Sequence, residues 1–416
     1  MMKSRTRHRR KRPRIQAKRQ QVANVEAELL RRVRAQGGLS RVELACELRL
    51  APSTVGIYVD RLTQEGFLRE TKTLGRGTAG RPPTALVLNP DGGRFIGVDL
   101  EARNLMALIV DFSQQPLRHV HKKIPPADSA AQILVKIEQA IDETLAGDTR
   151  PVLGIGMGLP GTIDPEAGMA IRYDLISGWN DVAIGARLGK RYGVPVFLEN
   201  NIRSLAMAEL WFGGGRGLRN FVCVGIRSGV ATGMVVGGHL VHGAQHRAGE
   251  IGHWLCPVPA PLTDESPPDR SRPWPWNHEA QLERLASVPA ILAAAHRRVE
   301  RGEATSLAAV QGELTIDDLA AAVSAGDPFA LSVVHAVGCV YGWVAHQLDE
   351  LLDLERIIFA GPLADVGEPF LTPVRDTARR LDNTGREPPI APSALGRYGG
   401  AIGAAALALD QWKPKR

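Results

Sequence analysis

The residues in this chain best equipped for chemistry are basic, and they cluster. Between Met1 and Gln20 stand ten lysines and arginines (Lys3, Arg5, Arg7, Arg9, Arg10, Lys11, Arg12, Arg14, Lys18 and Arg19) and no acid. The whole chain carries +7, from 51 Lys and Arg against 44 Asp and Glu, so without that block it holds 41 bases against 44 acids. Basicity therefore belongs to one end. Such a block does not fold by itself and attracts polyanions, most simply DNA phosphates, or else it is a solvated tail with no specific partner. A second basic cluster is Gly75-Arg76-Gly77-Thr78-Ala79-Gly80-Arg81-Pro82-Pro83. A Gly-Arg-Pro step lets an arginine enter a narrow minor groove, whose negative potential attracts it, so Arg76 and Arg81 are candidate DNA contacts. Between the clusters lie Ser53, Thr54, Gly56, Ile57, Tyr58 and Arg61. Ser53, Thr54 and Tyr58 suit phosphates or thymine methyls, and Arg61 alone could bind guanine in bidentate fashion.

These side chains need a scaffold. Val22, Val25, Leu29 and Val33 recur at helical spacing and predict a helix ending near Gly37-Gly38. Ser40-Arg41-Val42-Glu43 reads as a capping box opening a short helix with Leu44, Ala45 and Leu48 on one face. Ala51-Pro52 starts a third helix, apolar at Val55, Val59 and Leu62, which Gly66 ends. Two short strands, 67–70 and 85–88, flank the Gly- and Arg-rich loop from Lys72 to Thr84. Together these predict a winged helix-turn-helix with its third helix in the major groove. A small winged domain used for protein contacts is the blander reading.

Pro90-Asp91-Gly92-Gly93 breaks the chain, and there the character changes. Apolar strands at 95–100, 105–112, 152–158, 194–199, 221–226, 234–237 and 357–361 alternate with helical patterns at 133–145, 202–212 and 333–352. That alternation predicts an α/β core with both sheet faces covered. The expected organisation is a disordered basic tail (1–20), a winged helix-turn-helix (21–90) and a larger α/β domain (91–416). Cys46, Cys223, Cys256 and Cys339 form no CxxC pair, which argues against a disulfide framework or structural zinc and suits a reducing cytoplasm. No apolar run approaches the roughly 18 residues of a membrane span. The basic start has no apolar stretch behind it and so does not read as a secretory signal, although an Arg-rich, acid-free start also mimics an organelle transit peptide.

Three segments of the larger domain carry a family resemblance: Gly154-Ile155-Gly156-Met157-Gly158-Leu159-Pro160-Gly161, Leu198-Glu199-Asn200-Asn201, and Gly249-Glu250-Ile251-Gly252-His253. With Gly80-Arg81-Pro82-Pro83 and Ala360-Gly361-Pro362, they resemble the ROK family of sugar kinases and sugar-responsive repressors. The resemblance spans roughly Val22 to Ala406 and implies an actin-like, ribonuclease-H-type fold of two lobes.

The resemblance also exposes three departures. The family's kinases hold ATP phosphates with an Asp-x-Gly-Gly-Thr turn, whereas this chain has Asp99-Leu100-Glu101-Ala102-Arg103. Their general-base aspartate is here Asn201, whose amide cannot take a proton at a useful pKa. Their second phosphate segment, Gly-Thr-Gly, is Arg227-Ser228-Gly229. The implied reading is a sensor without phosphoryl transfer or cofactor. Asn200, Asn201, Glu250, His253 and Glu283 match the sugar-contacting positions, and such acids, amides and imidazoles pair well with hydroxyls. For Glu250 and His253 the alternative is a buried polar pair bracing a loop. The family's Cys-x-Cys-Gly-x-x-Gly-Cys zinc motif is absent, with only Cys256 nearby, so no metal is expected. In its place is a Pro/Trp-rich stretch whose Trp274 and Trp276 either stack on a sugar or fill space. The expected partners are double-stranded DNA and a sugar effector, in a homodimer or homotetramer with no membrane attachment. The rivals are a ligand-blind DNA-binding dimer and an active sugar kinase.

Overall fold

The structure is a computed structural model describing residues 11–72, 84–257, 262, 279–386 and 389–415. The N-terminal unit comprises α1 (Lys11–Gln36), α2 (Arg41–Leu48), α3 (Pro52–Gln64), β1 (Leu68–Lys72) and β2 (Thr84–Leu88). Helix α1 begins at Lys11, so half of the stretch expected to be disordered is helical. Lys, Arg, Gln and Ala are good helix formers, and Pro13 falls in the first turn, where proline is tolerated. Charge alone hid that propensity. Ser40 caps α2 reciprocally: its hydroxyl accepts from the Glu43 N–H at 3.3 Å, and Glu43 accepts from the Ser40 N–H at 2.7 Å. Strands β1 and β2 pair antiparallel, Leu68 opposite Leu88, as the base of a wing.

Next come β3 (Arg94–Leu100), β4 (Asn104–Asp111), β5 (Pro116–Lys123), α4 (Ala130–Leu145), β6 (Val152–Leu159), β7 (Thr162–Asp164), β8 (Met169–Arg172) and β9 (Asn180–Val182). They are followed by α5 (Ile184–Tyr192), β10 (Val196–Asn200), α6 (Asn201–Phe212), β11 (Phe221–Ile226), β12 (Val230–Val236) and β13 (His239–Leu240). After β14 (Leu255–Pro257), β15 (Glu279–Gln281), α7 (Leu282–Ala286), α8 (Val288–Glu300), α9 (Ile316–Ser324) and α10 (Pro328–Leu352), the chain closes with β16 (Arg356–Ala360), α11 (Glu368–Leu381), β17 (Ile390–Pro392) and α12 (Gly399–Gln411).

Two five-stranded sheets form the lobes, in the orders β10-β6-β3-β4-β5 and β13-β12-β11-β16-β17. Each has a central strand antiparallel to one neighbour and parallel to the other: β3 beside β4 and β6, β11 beside β12 and β16. The repeated arrangement is the ribonuclease-H-type duplication that the family resemblance implies. Helix α12 packs against α6 and the first sheet. Its approach explains the glycine-rich β6: a Cβ on Gly156 would overlap the Ala404 carbonyl, and one on Gly97 the Ala401 carbonyl. These glycines serve helix-on-sheet packing. Helix α10 is long and apolar enough to cross a bilayer by length and composition, yet 67% of that window is buried within the protein.

The N-terminal unit and the first lobe share one apolar core, running from Leu29, Val55 and Leu62 to Phe95, Met106 and Ala405. Phe67, Phe95, Phe112 and Trp412 form an aromatic quartet between them, with Phe67 and Trp412 ring centroids 5.0 Å apart. Arg34 adds an ion pair to Asp410 at 3.1 Å and lies 3.4 Å over the Trp211 ring. Pro90–Gly92 forms a short turn packed on the body rather than a free linker.

Candidate functional site

A cavity of about 290 Å³ opens between the lobes. Asn200, Asn201, Glu250, His253 and Glu283 all line it, so the structure brings together residues that the sequence scatters over 84 positions. Their local roles differ. Asn200 ends β10 and caps α6: its side-chain oxygen accepts from the Ile202 and Arg203 N–H groups at 3.0 and 3.4 Å. Its amide nitrogen donates to the Gly161 carbonyl at 3.4 Å. Asn201, the first residue of α6, donates to the Leu100 carbonyl at 3.2 Å. Glu283, opening α7, accepts from the Val230 N–H at 3.2 Å. The Glu250 carboxylate has no hydrogen-bond partner among the described residues. Burial pushes its pKa up and Glu283 adds to this, against the pull of Arg203 and His253. His253 is exposed at the end of a short 3-10 turn.

The loop carrying Glu250 is anchored from below. Arg203 is buried, donates to Glu199 at 2.7 Å and reaches the His246 carbonyl at 3.0 Å. The second Glu199 oxygen meets His242 Nε2 at 2.8 Å. Burial would raise the Glu199 carboxyl, but the bonds and charges of His242 and Arg203 outweigh it and hold the pKa below its usual value. Glu199 thus braces the loop that carries Glu250, a role its motif did not reveal.

Several lining residues escaped the sequence reading. Thr162, Arg172, Tyr173 and Asp174 come from the small sheet β7-β8-β9 and its following turn. Tyr173 faces Ser228 of the other lobe across the cavity, and burial pushes its phenol above the ordinary pKa. No motif marks it; its place depends on how the small sheet folds over the cleft.

The wall of the cavity is electrostatic. Arg227 leaves the end of β11 on the second lobe and crosses to the first, its Nη1 2.9 Å from Asp99 and 2.8 Å from Glu101. Asp99 is fully buried. Burial pushes its carboxyl up to about 6 against the attraction of Arg227, and the charge of Glu101 pushes the same way. A second cavity of about 520 Å³ lies on the far side, and Arg227 and Glu101 line both. Two of the three motif departures are therefore partners: the carboxylate gained at Glu101 answers the guanidinium gained at Arg227.

A ROK sequence profile matches residues 95–411. The chain belongs to the ROK family. Among its relatives is the DNA-binding transcriptional repressor Mlc of Escherichia coli, 26% identical over 83% of this chain and 82% of that protein. A ROK family transcriptional regulator described as a homologue of the Escherichia coli protein superposes with a TM-score of 0.75 at 24% identity, covering 94% of this chain and 96% of the other. A ROK glucokinase from Streptomyces griseus, solved with glucose and AMPPNP, has a TM-score of 0.64 at 26% identity, covering 76% of this ROK chain and all but 1% of its own. Both regulators and kinases are thus relatives of this ROK protein, and the domain they share is its two-lobed body.

At the other end of the molecule, Ser53 and Thr54 stand in the first turn of α3, with Ser53 and Ile57 exposed and Thr54 and Tyr58 half-exposed. Arg61 turns back to α1, 3.1 Å from the buried Glu26 and near the Tyr58 ring. That ion pair engages the guanidinium that the sequence offered for guanine. Arg76 and Arg81 lie outside the described residues, as do Trp274 and Trp276. No group of three or more potential metal ligands occurs among the described residues.

Proposed function

We propose that this ROK protein is a DNA-binding transcriptional regulator, a repressor whose cleft takes a sugar effector and does not phosphorylate it. The observation that carries this reading is Arg227, held between Asp99 and Glu101 where the family's kinases present glycines to ATP phosphates. Phosphate cradles work by close approach of backbone N–H groups and excess positive charge. Glu101 and Ala102 replace the two glycines, and two carboxylates already answer Arg227. Asn201 donates its amide to a carbonyl and cannot serve as a base.

Further support comes from the N-terminal unit. Its three helices and wing base suit a major-groove reader with α3 as the recognition helix and Ser53, Thr54 and Tyr58 facing DNA, with Arg76 and Arg81 as the proposed minor-groove contacts. The matched regulator structure spans that unit as well as the body, whereas the glucokinase spans 76% of the chain. A homodimer or homotetramer reading half-sites about one helical turn apart, in the cytoplasm, completes the proposal. Sugar at Asn200, Asn201, Glu250, His253 and Glu283 would bind one arrangement of the lobes better and so shift the DNA-binding units. The shared core and the Arg34–Asp410 pair would carry that shift.

The test pairs a thermal-shift and operator-binding screen of monosaccharides with an ATP-turnover assay on the same protein. A stabilising sugar that alters DNA affinity, with no sugar-dependent ATP turnover, is the expected result. Sugar-dependent ADP release would make the protein a kinase. Silence towards every sugar would leave a ligand-blind DNA-binding protein.

A further inference from the structure

The charge balance of the cavity narrows the class of effector, given the sugar-sensing reading above. Four carboxylates line it, from Glu101, Asp174, Glu250 and Glu283, against two guanidiniums, from Arg172 and Arg227. Neither guanidinium charge is free. Arg172 is paired with Asp174 at 2.6 Å, and Arg227 with Asp99 and Glu101. What faces a ligand is the unpaired Glu250 and the Glu283 carboxylate, whose one bond to the described residues is to a backbone N–H. The volume, near the lower end of the range for small-ligand sites of about 300–1,000 Å³, suits a monosaccharide rather than a nucleotide.

We propose that Glu101, by holding Arg227, makes this cavity select an unphosphorylated sugar, neutral or amine-bearing, and refuse its phosphate ester. A phosphate brings close to two negative charges and needs cations or clustered N–H donors to replace its water. Here the nearest cation is already satisfied, and the groups beside it are carboxylates in a half-buried setting where like charges repel strongly. Hydroxyls meet the opposite situation: Glu250 and Glu283 accept their protons well, and an ammonium group would gain a partner that a phosphate would lose. Glu101 is the residue that decides, because it both neutralises Arg227 and adds a negative charge to the wall shared by the two cavities.

The experiment measures binding of matched pairs to the full chain: glucose and glucose 6-phosphate, glucosamine and its 6-phosphate, N-acetylglucosamine and its 6-phosphate. It is run on the wild type and on Glu101→Gln, a change of charge at nearly constant shape. The expected result is a parent sugar that binds the wild type at least about tenfold more tightly than its phosphate, with that preference reduced about tenfold or more in Glu101→Gln. A wild type that binds any phosphate as tightly as its parent overturns the selectivity while leaving the sensor intact. An unchanged preference in Glu101→Gln removes Glu101 from the role. Should the variant fail to fold, the wild-type ratio still decides whether phosphate is refused. A protein that binds neither member of any pair overturns the sensor reading, and the selectivity falls with it.

Discussion

Arg227 Nη1 lies 2.9 Å from the Asp99 carboxylate, and that bond spans the two lobes at the wall between their two cavities. Asp99 lies fully buried near the end of β3, and its other oxygen has no partner among the described residues. The pair is thus a lobe-to-lobe tie. Its energetics follow from burial, since removing one member strands a desolvated charge.

Arg227→Ala should therefore cost about 3–5 kcal/mol of unfolding free energy at neutral pH. Adding Asp99→Asn to it should recover part of that loss, because the stranded charge disappears. Urea denaturation of the wild type, both single variants and the double variant measures the coupling. Simple additivity would mean that the two residues do not interact in solution.

The Asp99 carboxyl also predicts a pH dependence. Its pKa in the folded chain stands at about 6, above the ordinary 3.8, so the folded state binds the proton more readily. A raised acid contributes most to stability at low pH, and the contribution is lost as pH rises from about 4 through about 6. The melting temperature of the wild type minus that of Asp99→Asn should fall across that window and stay level above it. A difference that grows with pH would place the carboxyl on the other side of its normal value.

Glu250→Ala should abolish the thermal shift produced by a sugar ligand and leave DNA affinity without sugar unchanged. The ligand effect is large enough to read, because a ligand at 100 times its dissociation constant stabilises by about 2.7 kcal/mol. A persisting shift would move the sugar out of this cavity.

Gly156→Ala tests the packing role of the glycine-rich strand. The added methyl would press on the Ala404 carbonyl of α12, which is backbone and cannot swing aside. Overpacking of this kind costs about 1–3 kcal/mol, and more where backbone must move. An unaltered melting temperature would mean that α12 does not press this closely on Gly156.

Removal of Met1–Arg10 takes away five of the ten clustered bases while sparing helix α1. DNA binding should weaken for all sequences alike, and the dependence of log affinity on log salt should flatten, since fewer counterions are released. An unchanged salt slope would mean that these residues do not touch DNA.

Much of the fold was legible in local pattern. The Ser40–Glu43 capping box, Pro52 at the start of α3 and the strand runs around Phe95 and Val222 are signals written within a few residues, and the chain obeys them. Helix α12 was not read, because its alanines and glycines show no apolar stripe when buried on every side. Nor was the extension of α1 to Lys11, where charge masked helix propensity.

The candidate site divides in the same way. The residue types at Asn200, Glu250, His253 and Glu283, and the absence of the kinase glycines and aspartate, are properties of the sequence alone. The partnership of Arg227 with Asp99 and Glu101 spans more than a hundred positions, and only the facing of the two lobes created it. Tertiary structure likewise brought Tyr173 to Ser228 and turned Arg61 onto Glu26. Local rules choose helices, strands and caps because those bonds close within a few residues. A guanidinium chooses its carboxylate only after the folded chain has removed water from both, and that choice depends on which surfaces meet.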